Sequence, residues 1–199
     1  MPSIQLILSK YLDGYYVMYD RGLGRFFWDR EPWRAIIPLN ADTSARARRM
    51  LSRIKPPFEI QEDRRADEVL SALSDDRVKR HSWLRGEVLQ IYREFQKHGH
   101  LKTIEAIQEG QLAGAVLAVV LGRVLIAETM FSLEPGASKA CLCHAVLRYA
   151  GLGFEFIDVQ QEHAADHPSA RLGEQVVSLR AFLPRFRQAV LIDPEIPTL

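Results

Sequence analysis

The spacing of apolar residues predicts helices in the first half of the chain and mostly strands in the second. Four residues recur at the spacing of one helical face: Leu84, Val88, Ile91 and Phe95. This stripe predicts a helix over residues 83–97 that ends near Gly99. Beyond it, apolar runs over residues 100–108 and 111–121 flank Glu109-Gly110 and predict a hairpin, with a turn signal weaker than Asn-Gly.

Similar patterns predict the remaining elements. Helices are predicted over residues 4–12, 43–54, 66–73, 138–149 and 178–189, and strands over residues 123–131 and 154–160. Residues 15–33 form an aromatic, extended stretch. Lys55-Pro56-Pro57 ends the basic helix before it, because proline blocks helix continuation.

The order helix, hairpin, strand, helix, strand resembles that of the acyl-CoA N-acyltransferase (GNAT) fold. We therefore predict an α+β protein in which residues 56–199 form a GNAT-like domain and residues 1–55 a small mixed domain. A chain of 199 residues is long enough to bury a full core.

Composition and termini exclude several classes of protein. The chain has a net charge of +1 and no apolar run of membrane-spanning length, and its first residues, which lack a basic segment followed by a long apolar one, are not expected to be a leader. A cytoplasmic protein without a membrane partner is expected. Cys141 and Cys143 are the two cysteines, and their spacing on a predicted helix favours neither a disulfide nor a shared metal.

Positive charge is concentrated near the N-terminus. Between Arg21 and Lys55 the chain has nine basic and three acidic residues, and an aromatic cluster lies within the same segment. Such a face suits the phosphates of a nucleic acid, although charge alone favours a merely solvated helix. The candidate phosphate-binding residues share the predicted basic helix: Arg46, Arg48, Arg49 and Arg53.

Two polar sites interrupt apolar strands in the second half. Glu128 lies within an apolar run, and an isolated carboxylate is costly to bury, so it requires a partner or a function. Asp158 and Gln160 are two apart on a predicted strand and share a face. A glutamine carbonyl can accept a hydrogen bond from an attacking amine while the neighbouring carboxylate orients the amide, but an ion pair or a strand cap explains Asp158 equally well.

These residues occur in motifs that resemble those of the leucyl/phenylalanyl-tRNA-protein transferase family. Residues 128–132 resemble its E-S-M-F-S strand end, residues 137–139 its A-S-K helix start and residues 157–160 its I-D-x-Q strand end. Weaker matches cover nearly the whole chain, among them residues 8–18, Ser82-Trp83-Leu84 and Asp166-His167. The first motif departs from the family pattern at Tyr16-Val17.

The resemblance implies transfer of Leu or Phe, with Met as a further candidate, from aminoacyl-tRNA to acceptor proteins that begin with Lys or Arg, in the service of N-end rule degradation. Glu128, Asp158 and Gln160 would be catalytic, and the small N-terminal domain would present its basic face to the tRNA 3′ end. The implied substrate-binding residues are Tyr11, Trp28, Trp83, Tyr92, Val116, Ile126, Leu142, Tyr149 and Ile157. The apolar members of this set are equally credible as core, and a tryptophan in a small domain is ordinarily core.

The alternatives are an acyltransferase with another acyl donor and a noncatalytic tRNA-binding relative. Acetyl-CoA is disfavoured because the loop at residues 133–137 has one glycine and an acid where a pyrophosphate would bind. His163 and His167 have the spacing of zinc ligands on a helix, but the segment follows a strand and precedes Pro168, so a solvated loop is favoured. No metal and no cofactor are predicted.

Overall fold

The computed structural model describes residues 2–55, 57–78 and 83–191. Pro56 and Ser82, which belong to predicted motifs, lie outside these ranges. The helices are α1 Ile4–Leu12, α2 Ala41–Leu51, α3 Ala66–Ser74, α4 Gly86–Lys97, α5 Ala137–Gly151, α6 Pro168–Leu172 and α7 Leu179–Leu191. The strands are β1 Tyr16–Asp20, β2 Arg25–Asp29, β3 Trp33–Pro38, β4 Glu59–Glu62, β5 Leu101–Gln108, β6 Gln111–Leu121, β7 Val124–Ser132, β8 Phe156–Gln160 and β9 Gln175–Ser178.

Local signals account for the starts of α1 and α2. Ser3 accepts a hydrogen bond from the backbone of Leu6 at the start of α1. Asn40 and Thr43 form a reciprocal capping box at the start of α2. The helix α2 ends at Leu51, so Arg53, predicted to lie on the same helix as Arg46, follows it in a turn.

One seven-stranded sheet organises most of the described chain, in the order β4-β5-β6-β7-β8-β3-β9. Its strands pair antiparallel except for β7 and β8, which run parallel, and β1 and β2 form a separate hairpin. The α+β class is confirmed, and the GNAT-like assignment stays a prediction. The predicted division at residue 55 also stays a prediction; the sheet takes strands from both sides of it.

Apolar side chains fill both faces of the sheet because successive residues of a strand point to opposite sides. On β8, Phe156 belongs to a cluster with α1, α3, α4 and α7, whereas Ile157 belongs to a cluster with α2 and α5. The described residues include no helix long and apolar enough to cross a membrane.

Gly114 permits a close approach of α5 to the sheet. A Cβ atom there would lie 2.6 Å from the carbonyl oxygen of Phe131 and 2.7 Å from the Cβ atom of Ala137. Only glycine fits this position without displacing β7 or α5. The start of α5 is thereby held against the end of β7, where the polar residues of the predicted site lie.

Candidate active site

Glu128 occupies a β-bulge in β7. The pairing with β6 passes from Leu117 opposite Thr129 to Ala118 opposite Ala127, so Glu128 has no partner across the ladder. Bulges re-aim a side chain and are frequent beside active sites. This one directs a carboxylate toward the α1 and α4 side of the sheet, where the residue is only 8% exposed.

Three donors hold this carboxylate. The hydroxyl of Tyr11 donates to Oε1, and the hydroxyl of Tyr92 and Nε2 of Gln160 donate to Oε2, each at 2.8 Å. Burial raises the pKa of Glu128 to about 6, although the three hydrogen bonds lower it, and the charge of Asp158 adds to the rise. The sequence predicted that this acid has partners. The partners Tyr11, Tyr92 and Gln160 lie 117, 36 and 32 positions away from it in the chain.

Asp158 forms a buried ion pair with Arg34. Nε of Arg34 lies 3.0 and 2.9 Å from the two carboxylate oxygens, and Nη2 lies 2.9 Å from Oδ2. The arginine is 2% exposed and the aspartate 0%. The guanidinium also lies over the rings of Tyr16 and Phe182, 5.3 and 5.2 Å from their centroids. These contacts tie β3 to β8.

Gln160 ends β8 in a left-handed conformation. Its φ is 65°, which is unfavourable for a residue with a side chain, and its backbone N–H donates to Oδ1 of Asp158 at 2.9 Å. From the sequence, Asp158 was predicted to orient the amide of Gln160. That detail is corrected: Asp158 holds the backbone of Gln160, whereas Glu128 holds its amide.

The two tyrosines predicted to bind substrate are buried beneath Glu128. Tyr11 is 1% and Tyr92 0% exposed, and burial followed by the charge of Glu128 raises the pKa of both hydroxyls. Trp28 packs edge-on against Tyr11, with ring centroids 6.3 Å apart, and Trp83 packs against Tyr92 at 5.7 Å. Each tyrosine that donates to the carboxylate therefore packs against a tryptophan.

A cavity of about 510 Å³ opens where β7 and β8 part. Their ladder ends at Ile126 opposite Asp158, and the cavity lies beyond that pair. Two of the apolar residues predicted to bind substrate, Val116 and Leu142, line this cavity. Met130, which was not predicted, also lines it. Glu128 and Trp83 line it as well. The other predicted members lie in the core clusters and not on its wall: Ile126, Tyr149 and Ile157.

A second cavity, of about 530 Å³, lies on the other side of Gln160. Its wall includes Glu31, Glu162 and Trp33, which is 58% exposed. Gln160 lines this cavity while its amide donates to a carboxylate that lines the first. The residue thus lies between two cavities.

A basic groove of about 380 Å³ adjoins the start of α5. Five cationic side chains line it: Arg46, Arg49, Arg53, Lys139 and Arg171. Arg48 is exposed on the same helix but does not line the groove. Arg46 forms an ion pair with Asp42. Three of the four arginines predicted to bind phosphate thus share one surface.

Several residues of this region were not predicted as site residues. The buried Asp158 implied a cation, but nothing in the local pattern of Arg34, 124 positions away, identified it. Lys139 and Arg171 reach the basic groove from α5 and α6. His163 and His167 line the first cavity with their rings stacked 4.0 Å apart. Within the described ranges no group of three or more potential ligands is placed to hold a metal.

Known proteins place the chain in a family. A family model described as leucyl/phenylalanyl-tRNA protein transferase matches residues 36–187. Proteins of that name from Ralstonia pickettii and Prosthecochloris aestuarii are 30% and 31% identical, over 98% and 80% of this chain and 79% and 82% of their own lengths. A conserved protein of unknown function from Staphylococcus epidermidis has a TM-score of 0.47 and 10% identity over 89% of this chain and 65% of its own. From the match over residues 36–187, the chain belongs to the leucyl/phenylalanyl-tRNA protein transferase family, and the prediction of an aminoacyltransferase is confirmed.

Proposed function

We propose that this chain transfers Leu or Phe from aminoacyl-tRNA to the N-terminal amine of acceptor proteins that begin with Lys or Arg, which directs them to N-end rule degradation. The observation that carries the proposal is the position of Gln160. Its amide is fixed by Glu128 at the border between a first cavity that has an apolar part to its wall and a second cavity whose wall includes Glu31 and Glu162. A two-substrate transfer needs such a junction.

The first cavity suits the donor amino acid. Val116, Met130 and Leu142 offer an apolar wall, and its volume matches that of small-molecule sites. Trp83 on the same wall can stack on the terminal adenine of the tRNA, a contact worth ~1–3 kcal/mol.

The basic groove suits the body of the donor tRNA. Ser138 lines the first cavity and the next residue, Lys139, lines the groove, so the two spaces meet at the start of α5. Phosphates bound by Arg49 and Lys139 would place the esterified 3′ end close to the cavity.

The second cavity suits the acceptor. The carboxylates of Glu31 and Glu162 attract a basic first residue, and the exposed ring of Trp33 provides a cation–π surface. An amine that enters from this side meets Gln160. Because Nε2 of Gln160 donates to Glu128, the carbonyl oxygen of the amide remains as the acceptor for an N–H of the amine.

The decisive assay supplies tRNA charged with labelled Leu, Phe or Met and peptides that begin with Arg, Lys or Ala. Transfer to the Arg and Lys peptides, lost in Gln160→Ala, is expected. Binding of charged tRNA without transfer to any peptide would identify a noncatalytic relative. Acylation from acetyl-CoA in place of charged tRNA would identify an acyltransferase with another donor.

A further inference from the structure

Glu128, Asp158 and Gln160 include no free base for the attacking amine. A glutamine amide orients an amine but does not take its proton. Asp158 is held by Arg34 in a bidentate pair, and both oxygens of Glu128 accept hydrogen bonds from within the protein. Among the described residues that line the first cavity, the other titratable side chains are His163 and His167.

His163 forms a dyad with Glu174. Nδ1 of His163 lies 2.9 Å from Oε2 of Glu174, and the backbone N–H of His163 donates to Oε1, also at 2.9 Å. The glutamate side chain is 4% exposed and the histidine side chain 29%. A carboxylate that accepts at Nδ1 fixes the tautomer in which Nε2 carries the free lone pair. The dyad therefore holds a base whose ring lines the donor cavity.

His167 has the complementary tautomer. The backbone N–H of Ser169 donates to its Nδ1 at 3.2 Å, so in the neutral ring the proton lies on Nε2. The two rings stack at 4.0 Å with 11° between their planes. Burial and then the neighbouring His163 lower the pKa of His167 to about 4, against a smaller opposing effect of Asp166. A neutral His167 lets its stacked partner become positively charged without facing a second charge.

We infer that His163 is the general base of the transfer, that Glu174 positions it, and that this role rests on the function proposed above. The neutral acceptor amine attacks the ester carbonyl carbon and forms the C–N bond. Nε2 of His163 takes one proton from the amine nitrogen, while the carbonyl oxygen of Gln160 holds the other N–H. The C–O bond to the ribose breaks, and the imidazolium returns the proton to the leaving 3′ oxygen. Atoms and charge balance without a further reactant.

Glu174→Gln probes the positioning role. The glutamate accepts two hydrogen bonds, one from the backbone and one from the ring of His163. Glutamine offers one acceptor and one donor, so its NH2 group faces Nδ1 and favours the tautomer with the proton on Nε2. That ring has no lone pair at Nε2 for the amine. The replacement of one carboxylate oxygen by an NH2 group should therefore inactivate the base while the side chain keeps its volume.

The experiment measures kcat and KM for the transfer of labelled Leu from charged tRNA to an Arg peptide. The variants are His163→Ala, His163→Gln and Glu174→Gln, each first checked for an unchanged thermal unfolding midpoint. His144 and Glu62 provide a matched control, because Nε2 of His144 lies 2.8 Å from Oε1 of Glu62 in a similar pair that does not line the cavity. We expect kcat to fall by about 10²-fold or more in the three variants, as for the loss of a general base.

Chemical rescue separates the base from a structural role. Added imidazole should restore part of kcat to His163→Ala and have no effect on His144→Ala, which keeps wild-type kcat. A His163→Ala enzyme as fast as wild type overturns the role, and so does a loss that imidazole does not restore or that falls only on KM. A wild-type chain that transfers no amino acid overturns the proposed function itself, and this role with it.

Discussion

Replacing Glu128 by glutamine measures how much burial of this carboxylate lowers the free energy of unfolding. Its folded pKa is about 6, against 4.5 for an ordinary glutamate. Because the folded state binds the proton more tightly, the stabilisation is fully present below pH 4.5 and is lost as pH rises to about 6. The gap corresponds to about 2 kcal/mol of unfolding free energy, at ~1.4 kcal/mol for each tenfold change in affinity. Above that window the loss is constant.

The glutamine variant should lack this dependence. The swap conserves volume, the hydroxyls of Tyr11 and Tyr92 can rotate, and the Gln160 amide can turn its oxygen toward the new NH2 group. Urea unfolding of both proteins, in steps from about pH 4 to pH 8, gives the difference between their unfolding free energies. Groups that titrate alike in both proteins, such as Glu62 and His167, cancel in this difference.

The expected difference, wild type minus variant, falls by about 2 kcal/mol between pH 4.5 and about 6 and is flat above. A difference that is flat throughout, or that rises with pH, would refute the account of Glu128 as a buried acid with a raised pKa. We also expect slower transfer by the variant, since the charge no longer holds the amide of Gln160. A variant that folds and transfers at the wild-type rate would make the carboxylate purely structural.

Three further predictions concern the catalytic amide, the basic groove and the buried ion pair. Gln160→Ala should lower kcat strongly and leave the affinity for charged tRNA little changed; an equal loss of both, in single-turnover and binding assays, counts against its role at the amine. Arg49→Ala should flatten the log-log salt dependence of tRNA binding by ~0.7–0.9, whereas Arg48→Ala, outside the groove, should not; equal slopes in the two variants would exclude the groove as the phosphate site. Arg34→Met should cost about 3–5 kcal/mol because it leaves Asp158 buried without a partner, and urea unfolding that shows less than ~1 kcal/mol would contradict this.

The chemistry of the site was readable in part from local sequence. An acid inside the apolar strand around residue 128 requires partners wherever it is buried, and alternation along a strand places residues 158 and 160 together. Neither feature identifies the partner residues. The hydroxyls of Tyr11 and Tyr92 approach Glu128 only because α1 and α4 pack on the same face of the sheet. The apolar pattern also predicted neither the bulge at Glu128 nor the left-handed turn at Gln160.

The sequence by itself determined the elements whose signals are local. Periodicity and turn residues predicted α1 with the bounds that the structure has, and the hairpin of β5 and β6 to within one residue, because the hydrogen bonds involved lie within one helix or across one tight turn. Only the tertiary structure decided that β3 lies between β8 and β9 in the sheet. The six residues of β3 have a pattern that many pairing strands would satisfy, so it does not identify which strands pair with it. Tertiary packing also decides two polar pairs, Arg34 with Asp158 and His163 with Glu174. Packing brings together charged side chains that no local pattern in the chain pairs. Because an unpaired buried charge is unfavourable, the stability of each partner then depends on the other.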